Sequence, residues 1–225
     1  MTKLQSAISI LKFVKGYTNI VGIGYSGGKD SMVVLDLAYE FGFKIKAFHL
    51  YKVPDLKAMR EMIERAKRRY GIEFYFYPWL TLSSMIKHSK LQPYWAVNFD
   101  IPNVNMADIE NRFRAENPEI SWILYGWRAS DSFSRALIMK QTHGIDRKTF
   151  RAFPIWRWSR KDVLSYLKTK KIPLPEMWGR KEQGGIDLHP EVFKILKEKY
   201  PDDYEKYLKI FPYGRVYEIK KSSAS

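Results

Sequence analysis

The sequence predicts an α/β fold of three layers: a mostly parallel sheet with helices on both faces, followed by a small helical C-terminal extension. Three observations carry this expectation. Short apolar runs alternate with longer amphipathic ones, giving the order strand, helix, strand, helix, strand that suits parallel pairing. A glycine-serine turn at residues 26–31 joins the first apolar run to the helix behind it. The 225 residues, 45% hydrophobic and 28% charged, are a globular composition long enough for one sizeable core.

Residues 1–19 read as an amphipathic helix and not as a secretory leader, because no long apolar core precedes a small-residue cleavage site. Residues 19–25 (NIVGIGY) lack helical periodicity and read as a buried strand. The helix after the turn continues through MVVLDLAYEF until Gly42 can stop it. Residues 44–50 form a second strand. Residues 55–70 form a helix with Asp55 as its expected N-cap, basic residues in its last turns and Gly71 at its end. Residues 73–77 give a third strand. Residues 88–105, with two prolines and three asparagines, read as a long loop. A helix over 106–116 and a strand over 122–126 follow. Ser159 with Asp162 starts another helix, since a serine caps the backbone N–H three residues on. From Pro173 to Pro190 the chain is turn-rich, helices cover 190–199 and 202–210, and KKSSAS frays. The expected division is residues 1–187 as the α/β domain and 188–225 as a basic helical extension.

Composition narrows the chemistry. No run reaches the length of a membrane span, and a cytoplasmic setting is expected. The chain has no cysteine, which excludes disulfides, thiolate zinc sites, cysteine-ligated iron–sulfur clusters and a cysteine nucleophile within it. Lys and Arg number 39 against 24 Asp and Glu, a net charge of +15 that attracts polyanions. Seven Trp, 15 Tyr and 13 Phe supply stacking surface for nucleic acid, though aromatic residues also fill cores. The four histidines, His49, His88, His143 and His189, have no metal-ligand spacing and read as structural.

The strongest local signal is Ser26, Gly27, Gly28, Lys29, Asp30 and Ser31 at the strand-to-helix junction. Adjacent glycines let the backbone turn tightly against a phosphate. Helix N–H groups and the positive dipole end face the same anion. The two serines add hydroxyls, Lys29 adds charge, and Asp30 is placed to cap the helix or to hold Mg²⁺. The spacing is neither that of a Walker loop nor that of the dinucleotide fingerprint.

These six residues resemble the SGGxDS pyrophosphate loop of the adenine nucleotide alpha hydrolase-like (PP-loop ATP pyrophosphatase) superfamily. Within it the chain is similar to phosphoadenosine phosphosulfate (PAPS) reductases. Gly126 and Arg128, then Asp131 and Ser132, then Arg135 are similar to that family's G-x-R-x-x-E-S-x-x-R segment, with Asp for Glu. Phe153-Pro154-Ile155 with Trp158-Ser159 and Asp162-Val163 resembles its N-P-L…W-T-x-x-D-V-W helix start. Ile172-Pro173-Leu174 through Gly184-Gly185-Ile186 resembles the turn-rich stretch beyond. The order holds across roughly residues 17–187.

The resemblance implies ATP or a PAPS-like adenine nucleotide as ligand, chemistry at the alpha phosphate, Mg²⁺, and adenine near Tyr51 after the second strand. Arg128 and Arg135 are seven residues apart, so on a helix both guanidiniums leave one face and can clamp phosphate or sulfate. An ordinary salt bridge from Asp131 to either arginine is the plainer reading. Lys29, Asp30, Arg128 and Arg135 are the expected catalytic residues, with Ser26, Gly27, Gly28, Ser31, Tyr51, Gly126 and Asp131 completing the nucleotide site.

Because the family's reductases attack sulfur with a cysteine thiolate, reduction by this chain alone is not expected. Two classes remain: an enzyme that cleaves ATP to AMP and pyrophosphate and adenylates a substrate, or a non-catalytic nucleotide-binding subunit or sensor. A third reading is PAPS-type binding with thiols from a partner. The expected partners are the nucleotide, tRNA or DNA met through Arg60, Arg65, Lys67, Arg68 and Arg69, a separate sulfur- or nitrogen-donor protein, and a second copy of the chain.

Overall fold

The computed structural model describes residues 2–88, 90–93, 102–174, 188 and 190–218. Six strands form one sheet: β1 (Ile20–Gly24), β2 (Lys44–Tyr51), β3 (Glu73–Pro78), β4 (Ile123–Tyr125), β5 (Ile145–Asp146) and β6 (Arg151–Ala152). Their order is β3-β2-β1-β4-β6-β5, parallel throughout except for the β5–β6 pair. The helices are α1 (Lys3–Lys15), α2 (Lys29–Glu40), α3 (Lys57–Tyr70), α4 (Leu82–Lys87), α5 (Met106–Glu116), α6 (Phe133–Thr142), α7 (Arg160–Thr169), α8 (Pro190–Lys199) and α9 (Pro201–Ile210).

Period-two alternation sorts the strands onto two cores. Val21, Ile23, Ile45, Ala47 and Leu124 face α1, α2, α3 and α7. On the other face Phe48, Ile123 and Tyr125 pack with Ile109 and Phe113 of α5 and Met139 of α6. The predicted three-layer α/β architecture is therefore present. The β1 glycines belong to that second face: a Cβ on Gly22 would stand 2.7 Å from the Phe113 ring. A third cluster joins Val53, Leu56 and Ala58, around the start of α3, to Phe193, Leu196, Tyr204, Tyr207 and Phe211.

Two local expectations change. Asp55 does not cap α3: it takes φ +53° and pairs with Arg60, and Leu56 is the residue before the first turn. The cap comes from α9, where buried Asp203 accepts the N–H of Lys57 (2.8 Å) and of Ala58 (2.9 Å). By contrast Ser159 and Asp162 form the expected capping box on α7. The resembling stretch at 184–186, His189, half of the 88–105 loop and the last residues lie outside the described residues. Among the described residues no helix is long and apolar enough to cross a membrane.

Candidate functional site

The carboxyl ends of β1, β2 and β4 open onto a cleft of about 1330 Å³. It lies at the point where strand order turns back, since β2 and β4 flank β1 and their connections leave in opposite directions. Such a switch point leaves a crevice beyond the strand ends.

The phosphate loop forms one end of the cleft. Gly27 takes φ +72°, and a Cβ there would fall 1.9 Å from the Met62 sulfur on α3, so glycine alone fits. α2 starts at Lys29 with Gly28 as N-cap and no side-chain cap. Its positive dipole end, with no side-chain cap on it, thus faces an anion bound at the loop. The serines brace the turn. Gly28 N–H donates to Ser26 Oγ (3.2 Å), the Ser26 and Ser31 hydroxyls are 3.2 Å apart, and Ser31 Oγ donates to the Gly28 carbonyl (2.9 Å).

A chain of alternating charges runs from this loop to α6. Lys29 Nζ is 3.2 Å from Asp30 Oδ2, and Asp30 Oδ1 is 3.0 Å from Arg128 Nε. Arg128 Nη2 donates to Asp131 Oδ1 at 2.9 Å, and Arg135 Nη1 reaches Asp131 Oδ2 at 3.4 Å. Arg128 precedes a 3₁₀ turn, Ala129–Asp131, and α6 begins only at Phe133, so the two arginines do not share a helix face. Asp131 brings them together instead, as the plainer salt-bridge reading had it. Burial pushes the Asp30 carboxyl above the ordinary carboxylate value, against the opposing pull of Lys29 and Arg128. Arg135 is the more exposed of the two arginines and lies 4.7 Å over the Trp127 ring.

Gly126 closes the joint between β4 and α2: a Cβ there would stand 2.6 Å from the Asp30 carbonyl carbon. Tyr51, Gly126, Asp131 and Arg135 line the same cleft as Ser26, Lys29, Asp30, Ser31 and Arg128, while Gly27 and Gly28 supply the loop backbone. Of the basic α3 residues, Arg60 and Lys67 reach the cleft wall, and Arg65, Arg68 and Arg69 are exposed elsewhere on the helix. Seven Lys or Arg side chains line the cleft against four Asp or Glu, a balance that favours an anionic ligand.

Sequence reasoning did not assign a ligand-binding role to another part of the lining, which holds His49, Lys52, Phe76, Trp79 and Tyr207. Lys52 is buried with its amine 4.4 Å over the Trp79 ring. The one available signal was position, since His49 and Lys52 flank the carboxyl end of β2.

Mg²⁺ does not fit the donor set as it stands. Both Asp30 oxygens are ion-paired with cations, both Asp131 oxygens meet arginines, and no group of three metal-ligating side chains occurs among the described residues. No step below is routed through a metal.

Over residues 21–216 the chain matches the sequence profile of the phosphoadenosine phosphosulfate reductase domain. The chain belongs to that family. No protein of curated function matches it in sequence. Solved structures resemble this PAPS reductase family member in fold. FMN adenylyltransferase from Candida glabrata, in complex with ATP, is 20% identical with a TM-score of 0.54 over 78% of this chain and 57% of its own. The U34-tRNA thiolase from Methanococcus maripaludis, with its [4Fe-4S] cluster, is 17% identical with a TM-score of 0.54 over 99% and 81%. Yeast FAD synthetase, in complex with FAD, is 22% identical with a TM-score of 0.52 over 82% and 65%. The chain thus spans less than two thirds of the two flavin-nucleotide enzymes. Identities this low speak for the fold alone. This family member has no cysteine, so a thiolate step is not available to it alone.

Proposed function

We propose that the chain binds ATP or a related adenine nucleotide with its phosphates on the 26–31 loop and cleaves it at the alpha phosphate. An acceptor oxygen forms a bond to the alpha phosphorus. The bond from that phosphorus to the bridging oxygen breaks, and its electron pair leaves with pyrophosphate. Loop N–H groups, Lys29 and Arg135 stabilise the charge that develops on the departing oxygens. The observation that carries this reading is the uncapped α2 N-terminus beneath a lysine and two arginines in one cleft. Its volume of about 1330 Å³ also exceeds the roughly 300–1,000 Å³ of ordinary small-molecule pockets, which leaves room for an acceptor.

The net charge of +15 supports an acceptor carried on tRNA or DNA. A separate sulfur- or nitrogen-donor protein, a homo-oligomeric state and a cytoplasmic setting belong to the same proposal. The test is product analysis with alpha-labelled ATP and Mg²⁺, alone and with mixed tRNA or duplex DNA. Pyrophosphate release with the alpha label carried onto one of the nucleic acids, and freed as AMP when water displaces it, is the expected result. A second reading, a nucleotide-binding subunit without turnover, is favoured by one observation: Asp30 and Asp131 are already neutralised by their own cations. Tight ATP binding with neither pyrophosphate nor AMP released would select it. Tighter binding of PAPS than of ATP would select the sulfonucleotide reading, in which a partner supplies the thiol.

A further inference from the structure

His49 is a buried imidazole that the loop chemistry above does not use. It sits near the carboxyl end of β2, is only 3% exposed, and lines the cleft. Its Nδ1 is 2.9 Å from the backbone carbonyl oxygen of Tyr25, the residue that leads into the phosphate loop. A carbonyl oxygen only accepts, so Nδ1 carries the proton and the tautomer is set. Nε2 is then a lone-pair acceptor, and it makes no hydrogen bond among the described residues. Burial keeps the ring neutral by pushing its pKa down to about 4, and neighbouring Lys52 acts in the same direction.

We propose that His49 is a specificity residue of the cleft, whose Nε2 accepts a hydrogen bond from an N–H or O–H donor on the nucleoside half of the bound nucleotide. The inference rests on the nucleotide reading above and adds what part of the ligand is read. The carbonyl that orients the ring belongs to the chain entering the phosphate loop. A ligand anchored there by its phosphates therefore has its nucleoside within the same cleft as His49. His49 Nε2 is not one of the fully buried unpaired atoms among the described residues, so it keeps access to the cleft. A seated ligand that strips its water without offering a donor is penalised, whereas a ligand donor satisfies it. A ligand that offers a lone pair at that point, such as a 6-keto purine in place of a 6-amino purine, is rejected. The donor has two possible sources, the 6-amino group of the base and a ribose hydroxyl.

The experiment measures equilibrium binding of inorganic tripolyphosphate, ATP, purine riboside triphosphate (which lacks the 6-amino group), 2′-deoxy-ATP and 3′-deoxy-ATP. It uses the wild-type chain, His49→Phe and His49→Gln. Wild type is expected to bind one of the three analogues about tenfold more weakly than ATP, and which one identifies the donor. His49→Phe should bind ATP as weakly as that analogue, with no further loss when the donor is removed. Tripolyphosphate affinity should stay unchanged, and His49→Gln, which keeps an acceptor, should recover part of the loss. Three analogues that bind wild type as tightly as ATP would overturn the proposal, as would an analogue penalty that persists in His49→Phe. Tripolyphosphate binding with no added affinity for ATP would overturn it while leaving the phosphate loop assignment standing. Failure of tripolyphosphate and ATP alike would overturn the nucleotide reading itself. Wild-type arms need no substitution, and a misfolded His49→Phe is recognised by its lowered Tm, with His49→Gln carrying the comparison.

Discussion

Arg128 Nε and Asp30 Oδ1 meet at 3.0 Å across the joint between the end of β4 and the start of α2, the two segments that flank the topological switch. Arg128 also holds Asp131 through its side chain and, from its own backbone N–H, at 2.9 Å. One guanidinium thereby ties the phosphate loop to the segment that delivers Arg135. It acts first as a brace, and only Arg135 keeps substantial exposure.

Replacing Arg128 with Ala should leave two partly buried carboxylates facing one another. The expected cost is about 3 kcal/mol in urea unfolding, at the low end for a buried pair because Asp30 keeps Lys29. Arg128→Lys should not restore stability, since one ammonium cannot bridge both carboxylates in a fixed fork. Arg135→Ala should leave stability within about 0.5 kcal/mol and weaken nucleotide binding. Equal stability of all three variants would contradict the brace.

Gly27 presents two obstacles to a side chain, a positive φ and the Met62 sulfur. Gly27→Ala should reduce ATP affinity at least tenfold. Gly27→Ala combined with Met62→Ala should recover only the steric part, because the backbone strain of about 1 kcal/mol remains. Full recovery in the double variant would mean that φ does not matter here.

The α3 cap should be measurable from the opposite end of the chain. Asp203→Ala removes the acceptor of two backbone N–H groups 146 and 145 residues away. A loss of about 2 kcal/mol is expected, with faster proteolysis within α3 than within α2. Asp55→Asn, which removes only exposed ion pairs and keeps a residue that tolerates the φ of +53°, should change stability by less than about 0.5 kcal/mol.

His49 should leave a signature in acid. Its folded pKa of about 4 lies below the ordinary 6.5, so the unfolded chain binds a proton the folded chain refuses. Stability from this group is complete above pH 6.5 and falls as pH drops towards 4, by up to about 3 kcal/mol. Urea unfolding of wild type minus His49→Gln, measured from pH 7.5 to 4, should show that decline. A flat difference would mean the ring is not desolvated.

What was legible in the sequence was whatever local spacing decides. The 19–25 run, the turn at 26–31 and the Ser159–Asp162 box all form as their own residues require. What was hidden depended on distant partners. Asp55 has a capping side chain, yet Asp203 takes the position because α9 packs onto Val53 and Leu56. Arg128 and Arg135 look like one helical face by number, but the 3₁₀ turn between them is shaped by Asp131 accepting from the Arg128 backbone. β5 and β6 pair over two residues each, too few for an alternating pattern to register. His49 reads as structural because the four histidines have no metal-ligand spacing. Its position at the end of the second strand hinted at the ligand edge, but only the fold places it in the cleft lining, bonded to the Tyr25 carbonyl.

The Asp203 cap has a consequence for how the molecule is made. α3 leaves the ribosome 146 residues before the carboxylate that completes its first turn. At about 5–20 residues per second that interval is roughly 7–30 s, far longer than a helix needs to form or melt. The nascent chain therefore carries a fraying cleft wall until α9 emerges. The cleft is completed only once α9 has been made rather than at the moment its glycine loop appears.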